Sequence, residues 1–234
     1  MKIAVPIPPS VRSAPDLVAI RLRDAISTGE LSPGEQLPPE VDLARGFGIA
    51  LMTVRIALNA LKEMGLLVTV RGRNGGTFVA MDVGERIAEA ARKSPLSKAE
   101  IRDLTDWRRA VSGEACYLAA MRATAQERSA IKVASENFDA LGSKFPEVRF
   151  ADAKYHTLIA EASRSPTLIR NEIEIQRIFT EIILAIDKPL KTKEIAGYSH
   201  DDITSAILAG DHDRARQAML NHAEATFTWV TMLL

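Results

Sequence analysis

Residues Leu37 to Ala80 read LPPEVDLARGFGIALMTVRIALNALKEMGLLVTVRGRNGGTFVA, and this stretch decides the fold. Val54, Ala57, Leu58 and Leu61 recur at spacings of three, four and seven, the periodicity of one buried helix face. Gly65 follows as a helix stop, because glycine reaches the left-handed cap conformation without steric cost. Leu66–Val70 and Thr77–Val79 read as two short strands around Arg71-Gly72-Arg73-Asn74-Gly75-Gly76, a basic and glycine-rich turn. Upstream, Pro38-Pro39-Glu40 opens a short helix through Val41, Leu43 and Ala44 that ends near Gly46 and Gly48. Before it, Ser32-Pro33-Gly34 is a turn, and Pro15 fits the first turn of an opening helix closed by Gly29, with Val18, Leu22, Ala25 and Ile26 as its apolar face. Three helices with a basic hairpin after the third form a winged helix-turn-helix, a shape suited to gripping duplex DNA.

With its apolar stripe turned inward, the third helix, from about Ala50 to Met64, presents Leu51, Met52, Arg55, Ile56 and Asn59 outward, with Thr53 near its N-terminus. Arginine bonds guanine bidentately and asparagine does so with adenine, so Arg55 is the first base-reading candidate and Asn59 the second. Thr53 and the helix N-terminus suit phosphates. Arg71 and Arg73 flank Gly72 where a wing arginine can enter the minor groove, and Gly75 belongs to the same wing. The alternative is that Arg55 and Asn59 only solvate an exposed helix face.

The chain's 234 residues allow two domains. Apolar residues make 47% and aromatic residues 5%, so the cores are expected to be aliphatic and helical. Thirty Lys and Arg balance thirty Asp and Glu, but unevenly: residues 1–80 hold nine basic and seven acidic, net +2, and residues 81–234 hold 21 and 23, net −2. The asymmetry has the sign DNA binding needs. The one cysteine, Cys116, excludes an internal disulfide and a cysteine-based metal cluster, and its apolar helical surroundings favour a core residue over a redox sensor. No apolar run approaches the roughly 18 residues that span a bilayer. Residues 1–14, broken by Pro6, Pro8 and Pro9, read as a loose arm without a signal-peptide core, and a cytoplasmic protein is expected.

The winged domain is expected over 15–80 and a linker over 81–96, where Gly84, Ser94 and Pro95 interrupt a polar, small-residue stretch. Over 97–234 the pattern predicts an all-α bundle of six helices, near 97–123, 124–143, 147–163, 166–187, 192–209 and 211–233, separated by Thr124, Gly142 with Pro146, Ser165-Pro166, Lys188-Pro189 and Gly210-Asp211. The fold class is thus mainly α.

Within the bundle, Asp152 and His156 at i, i+4 share a helix face, roughly 6 Å apart. His200 precedes Asp211 by eleven residues and His222 follows it by eleven, so in an antiparallel hairpin each lies about 16 Å from the turn, at one level of the bundle. An Asp and three imidazoles converging there suit a borderline divalent metal such as Zn, Ni or Mn. A polar core of hydrogen-bonded His and Asp is the alternative. His212, within Gly210-Asp211-His212-Asp213, reads as a helix-start residue.

Leu31-Ser32-Pro33-Gly34-Glu35-Gln36-Leu37-Pro38-Pro39-Glu40, Leu43-Ala44, Thr53-Val54-Arg55-Ile56-Ala57-Leu58 and Gly75-Gly76-Thr77-Phe78-Val79 resemble the N-terminal domain of GntR-family regulators. Val41, Ala50 and Leu51 depart from the family's pattern, which usually has a basic residue at the first and Ser or Thr, then Arg, at the other two. Of the usual contacting arginines, Arg55 and those of the wing remain. Phe150–Ala160, His200–Ile203, Gly210-Asp211, Ala215-Arg216 and His222 resemble the FCD ligand-binding domain of the FadR-type subgroup, in its shorter, VanR-like branch. That resemblance implies metal binding by Asp152, His156, His200 and His222 beside a pocket for a small carboxylate. Trp107–Glu114 matches the segment that supplies the pocket arginine, which aligns with Arg108, and a guanidinium holds a carboxylate bidentately. Ser112 and Ser165 stand where many members have Glu and Asn.

The expectation is a homodimeric transcription factor, a repressor as most of the family are, that binds an operator in double-stranded DNA and senses a small organic acid. An architectural DNA binder with a structural His cluster is the rival. A metal-dependent hydrolase is the weaker one, because no acid is motif-placed as a general base and the DNA-reading domain is then unexplained.

Overall fold

The computed structural model describes residues 13–73, 75–186 and 199–233. The arm expected at 1–14, Asn74 of the wing, the Lys188-Pro189 breaker and the start of the helix expected at 192–209 lie wholly or largely outside them. The chain divides into two compact units, one comprising the residues up to Ile26 with Leu31–Val83, the other Ser27–Glu30 with the chain from Gly84 onward.

In the first unit α1 (Ala14–Ser27) starts where Ser13 and Asp16 cap each other, the Ser13 amide donating to Asp16 Oδ2 at 3.0 Å. Helix α2 (Glu40–Phe47) ends at Gly48, whose φ of 66° closes the turn in the left-handed region. In α3 (Leu51–Glu63) the buried residues are Val54, Ala57, Leu58 and Leu61, the stripe that the spacing predicts. Val54, Leu58 and Leu61 each contribute about 1.5–3 kcal/mol on burial. Strands β1 (Leu67–Val70) and β2 (Gly76–Val79) pair antiparallel, Leu67 opposite Val79 and Val70 opposite Gly76. The segment before α2 runs along β2: the Leu37 amide donates to Thr77 O at 2.9 Å and the Gly34 amide to Val79 O at 3.0 Å. The wing is therefore tied to the chain entering α2.

The second unit holds seven helices among the described residues: α4 (Val83–Arg92), α5 (Lys98–Arg122), α6 (Ala125–Leu141), α7 (Glu147–Ala162), α8 (Pro166–Ala185), α9 (Asp201–Ala209) and α10 (His212–Leu233). Six fall where the pattern predicts them. Helix α4 lies in the stretch read as a linker, where Val83, Ile87 and Ala88 are buried on one face. Capping boxes start α5 at Ser97/Glu100 and α6 at Thr124/Glu127, and Gly210 closes α9 at φ 74°.

Helix α10 packs along α5, and α7 packs against α5, α6 and α8. Along α5 the apolar core changes partners. Ile101 and Leu104 join Ile175, Phe179, Trp229 and Val230, while Cys116 and Ala119 join Tyr155, Ile159, Ile207 and Met219. Between these runs the chain also buries the polar Arg108 and Ser112, beside Val111. On α10 the order reverses, Met219 and then Trp229 flanking His222 and Thr226. Two apolar clusters thus enclose a polar layer. Cys116 is buried in one of them, and burial pushes its thiol well above the ordinary range, which fits an inert core residue.

Candidate functional site

On α3, Met52, Arg55, Ile56 and Asn59 are exposed, and Leu51 and Thr53 half-buried. The Thr53 amide donates to Ala50 O at 3.0 Å, in the opening turn of the helix. Arg55 Nε donates to Glu40 Oε2 at 2.9 Å, joining the middle of α3's outer face to the first residue of α2. Arg71 and Arg73 are exposed on the wing.

Gly75 closes the wing, its amide donating to Gly72 O at 2.9 Å. A Cβ there would stand 2.5 Å from Val70 O and 2.9 Å from Gly72 O, both backbone atoms that cannot swing aside. Gln36 braces the same point, its Nε2 donating to Gly75 O at 3.4 Å. Gly75→Ala should therefore deform the wing at a cost of about 1–3 kcal/mol and weaken duplex binding, with the helical circular-dichroism signal unchanged. Duplex titration alongside spectroscopy checks this; unchanged affinity would show that the wing does not touch DNA.

In the second unit α7 supplies Asp152 and His156 one turn apart, His200 caps α9, and His222 projects from α10. One potential ligand atom from each lies within 4.8 Å of all the others, and all four residues are buried. His200 Nε2 stands 3.0 Å and His156 Nε2 3.8 Å from Asp152 Oδ1. The imidazole centroids are 5.0–5.2 Å apart. Tyr155 stacks on His200 at 4.0 Å and donates to or accepts from Thr204 Oγ1 at 2.9 Å, and Phe138 covers His200 at 4.4 Å. The ring is held from two sides. His212 starts α10 and lies 4.5 Å from the Tyr117 ring, apart from this centre.

Burial by itself would push the Asp152 carboxyl up, but Arg149, His200 and His156 around it hold it well below its ordinary value. Burial drives the His156 imidazole well below its own; Asp152 opposes this, and Arg108, His222 and His200 reinforce it. A carboxylate and a neutral imidazole are the protonation states that a metal needs. Asp152 Oδ1 and both ring nitrogens of His200 are buried with no hydrogen bond of good geometry. These observations fit a borderline divalent cation.

Arg108 is about 1% exposed. Its NH1 donates to Thr226 Oγ1 at 3.1 Å, its NH2 lies 3.0 Å from His156 Nε2, and its Cζ stands 4.8 Å over the Phe179 ring. A guanidinium only donates, so Nε2 of His156 is the accepting nitrogen.

Sequence reasoning missed the remaining polar partners. Arg149 bonds Asp152 Oδ2 through NH1, Thr180 Oγ1 through Nε at 3.0 Å, and Gln176 Oε1 through NH2 at 2.6 Å. Its spacing of three from Asp152 was the available signal. Glu172 accepts from Ser112 Oγ at 2.6 Å and Gln176 Nε2 at 2.7 Å, and burial raises its carboxyl. Ser112 thus has a partner here, and Ser165 caps α8 by accepting from the Leu168 amide. A groove of about 400 Å³ lined by Leu96, Ile101, Ile178 and Ile182 includes none of these residues.

Residues 16–79 match the family described as bacterial regulatory proteins, gntR family, and residues 103–225 match the FCD domain. RmpR of Mycobacterium gastri, named as an HTH-type transcriptional regulator, is 32% identical over 215 residues, 88% of this chain and 76% of that protein. A protein of Escherichia coli K12 named as an L-lactate dehydrogenase operon regulatory protein is 30% identical over 232 residues, 93% of this chain and 86% of that one. The E. coli McbR/YncC structure, at 18% identity, shares the fold over 95% of this chain and 97% of its own, with a TM-score of 0.55.

Proposed function

The chain belongs to the GntR family of bacterial regulatory proteins and carries an FCD domain, and on that footing we propose a homodimeric cytoplasmic repressor that senses a small carboxylate beside a divalent metal. It is a ligand-responsive, DNA-binding transcriptional regulator of the FadR-type subgroup, not an enzyme. No described helix is long and apolar enough to cross a membrane.

The observation that carries the sensing part is the convergence of Asp152, His156, His200 and His222 beside the buried Arg108. Those four residues would hold the metal, zinc first, with nickel or manganese as the other compatible ions. The metal supplies a Lewis-acid anchor for a carboxylate oxygen. Arg108 would supply the second anchor, a paired N–H fork that fixes the plane of the acid, once its NH2 leaves His156 Nε2, whose one lone pair the metal would take. Arg149 sets the charge and orientation of Asp152. In the winged unit, Arg55 and Asn59 read bases, Thr53 and the α3 N-terminus hold phosphate, and Arg71 and Arg73 follow the minor groove with Gly75 shaping their turn. Repression is relieved because the effector binds the DNA-free state more tightly than the DNA-bound state.

The test is coupling. A thermal-shift screen begins with L-lactate and other 2-hydroxy acids, since one relative is named for an L-lactate dehydrogenase operon. Labelled operator, selected by the wild-type protein from random duplexes, is then titrated with and without the stabilising acid. The acid should weaken DNA binding by about 5–150-fold, with the reciprocal effect of DNA on the acid. Arg108→Ala should abolish the acid's effect and leave operator affinity without it within about twofold. An acid that binds and shifts operator affinity less than twofold would contradict the sensor reading.

A further inference from the structure

Arg55 stands on α3 half exposed, and among the described residues its side chain bonds an anion: Nε to Glu40 Oε2, 2.9 Å, across fifteen residues of sequence. The Glu40 side chain is itself about 35% exposed. An acid on a surface that meets phosphate is electrostatically unfavourable for binding, so its presence beside Arg55 calls for a compensating role. Nε is one of five guanidinium donors. Engaging it leaves the NH1 and NH2 nitrogens and fixes the plane in which they lie.

We propose that Glu40 is a specificity-positioning residue: it orients the Arg55 guanidinium for one base and repels DNA that does not engage that arginine. The inference rests on the reading of α3 as the recognition helix. On the correct base pair the oriented fork gains its bidentate contact without first losing side-chain freedom. On any other sequence Arg55 gains only phosphate attraction, which the Glu40 carboxylate offsets. The acid thereby widens the gap between operator and random DNA at some cost in total affinity, as specificity by repulsion requires. Asp42 differs: it is in the same first turn of α2, but its carboxylate bonds Arg45 of its own helix at 2.8 Å.

The experiment compares a duplex selected from random sequences by the wild-type protein with a scrambled duplex of equal length and composition. Glu40→Gln should lower the ratio of selected to scrambled affinity at least threefold, while scrambled-duplex affinity stays level or rises. Asp42→Asn removes the same charge without touching α3 and should move both affinities alike. In an Arg55→Ala background, Glu40→Gln should leave the ratio within twofold of that background. A bond that merely tied α2 to α3 would lower both affinities and the melting temperature together, and that outcome overturns the proposal. So does a ratio reduced less than threefold, or one reduced equally without Arg55. Should Glu40→Gln fail to fold, Glu40→Ala, which also removes the carboxylate, carries the same test. Arg55→Ala with undiminished affinity for the selected duplex would sink the recognition-helix reading itself; an essential Arg55 with an indifferent Glu40 sinks only the positioning role.

Discussion

His200→Ala should leave the purified protein with less than a tenth of the divalent metal of wild type, which should carry close to one ion per chain. His200 reaches the centre from the start of α9, and its ring is clamped by Tyr155 at 4.0 Å and Phe138 at 4.4 Å, so truncating it removes a ligand already held in place. A metal bound to the folded state alone stabilises it by mass action, about 4 kcal/mol at a thousandfold excess over Kd. A chelator should therefore lower the melting temperature of wild type by many degrees, zinc should restore it, and the variant should respond to neither. Acid should act in the same direction. His156 is held neutral, well below its ordinary value of 6.5, whereas in the unfolded chain it takes up a proton near that value. The unfolded state thus binds the extra proton, and stability is lost as pH falls below about 6.5. Elemental analysis with melting curves in chelator and zinc decides the matter. Wild type free of metal and indifferent to chelator would leave the four residues as a structural polar core.

The features legible in the sequence were those set by spacing within one helix or one hairpin. The α3 stripe of Val54, Ala57, Leu58 and Leu61 needs only the helical period, and so does the Asp152–His156 pair. His200 and His222 were placed level by equal distance from the Gly210-Asp211 turn, which the structure closes at Gly210. What escaped depends on which helices face one another. Glu40 meets Arg55 only through the angle between α2 and α3. Arg149 and Glu172 look like solvated charges until α5, α7 and α8 enclose them. Helix α4 was hidden by Gly84, Ser94 and Pro95 at its ends, although Val83, Ile87 and Ala88 already formed a stripe.

Arg149→Met should destabilise the metal-free protein by about 3–5 kcal/mol, the cost of leaving one partner of a buried ion pair behind. Arg149 and Asp152 are each about 1% exposed at the side chain, so solvent cannot replace the lost cation. Methionine is close in volume, which confines the defect to charge and hydrogen bonding rather than to a cavity. The Gln176 carbonyl groups and Thr180 Oγ1 lose a donor as well. Adding Asp152→Asn removes the stranded carboxylate, so the double variant should recover more than half of the loss; this non-additivity is what a direct pair produces. The metal supplies an independent check. A divalent cation on Asp152 is itself a countercharge, so Arg149→Met should cost distinctly less in zinc than in chelator. Equal costs in the two conditions would mean that Asp152 does not hold the ion.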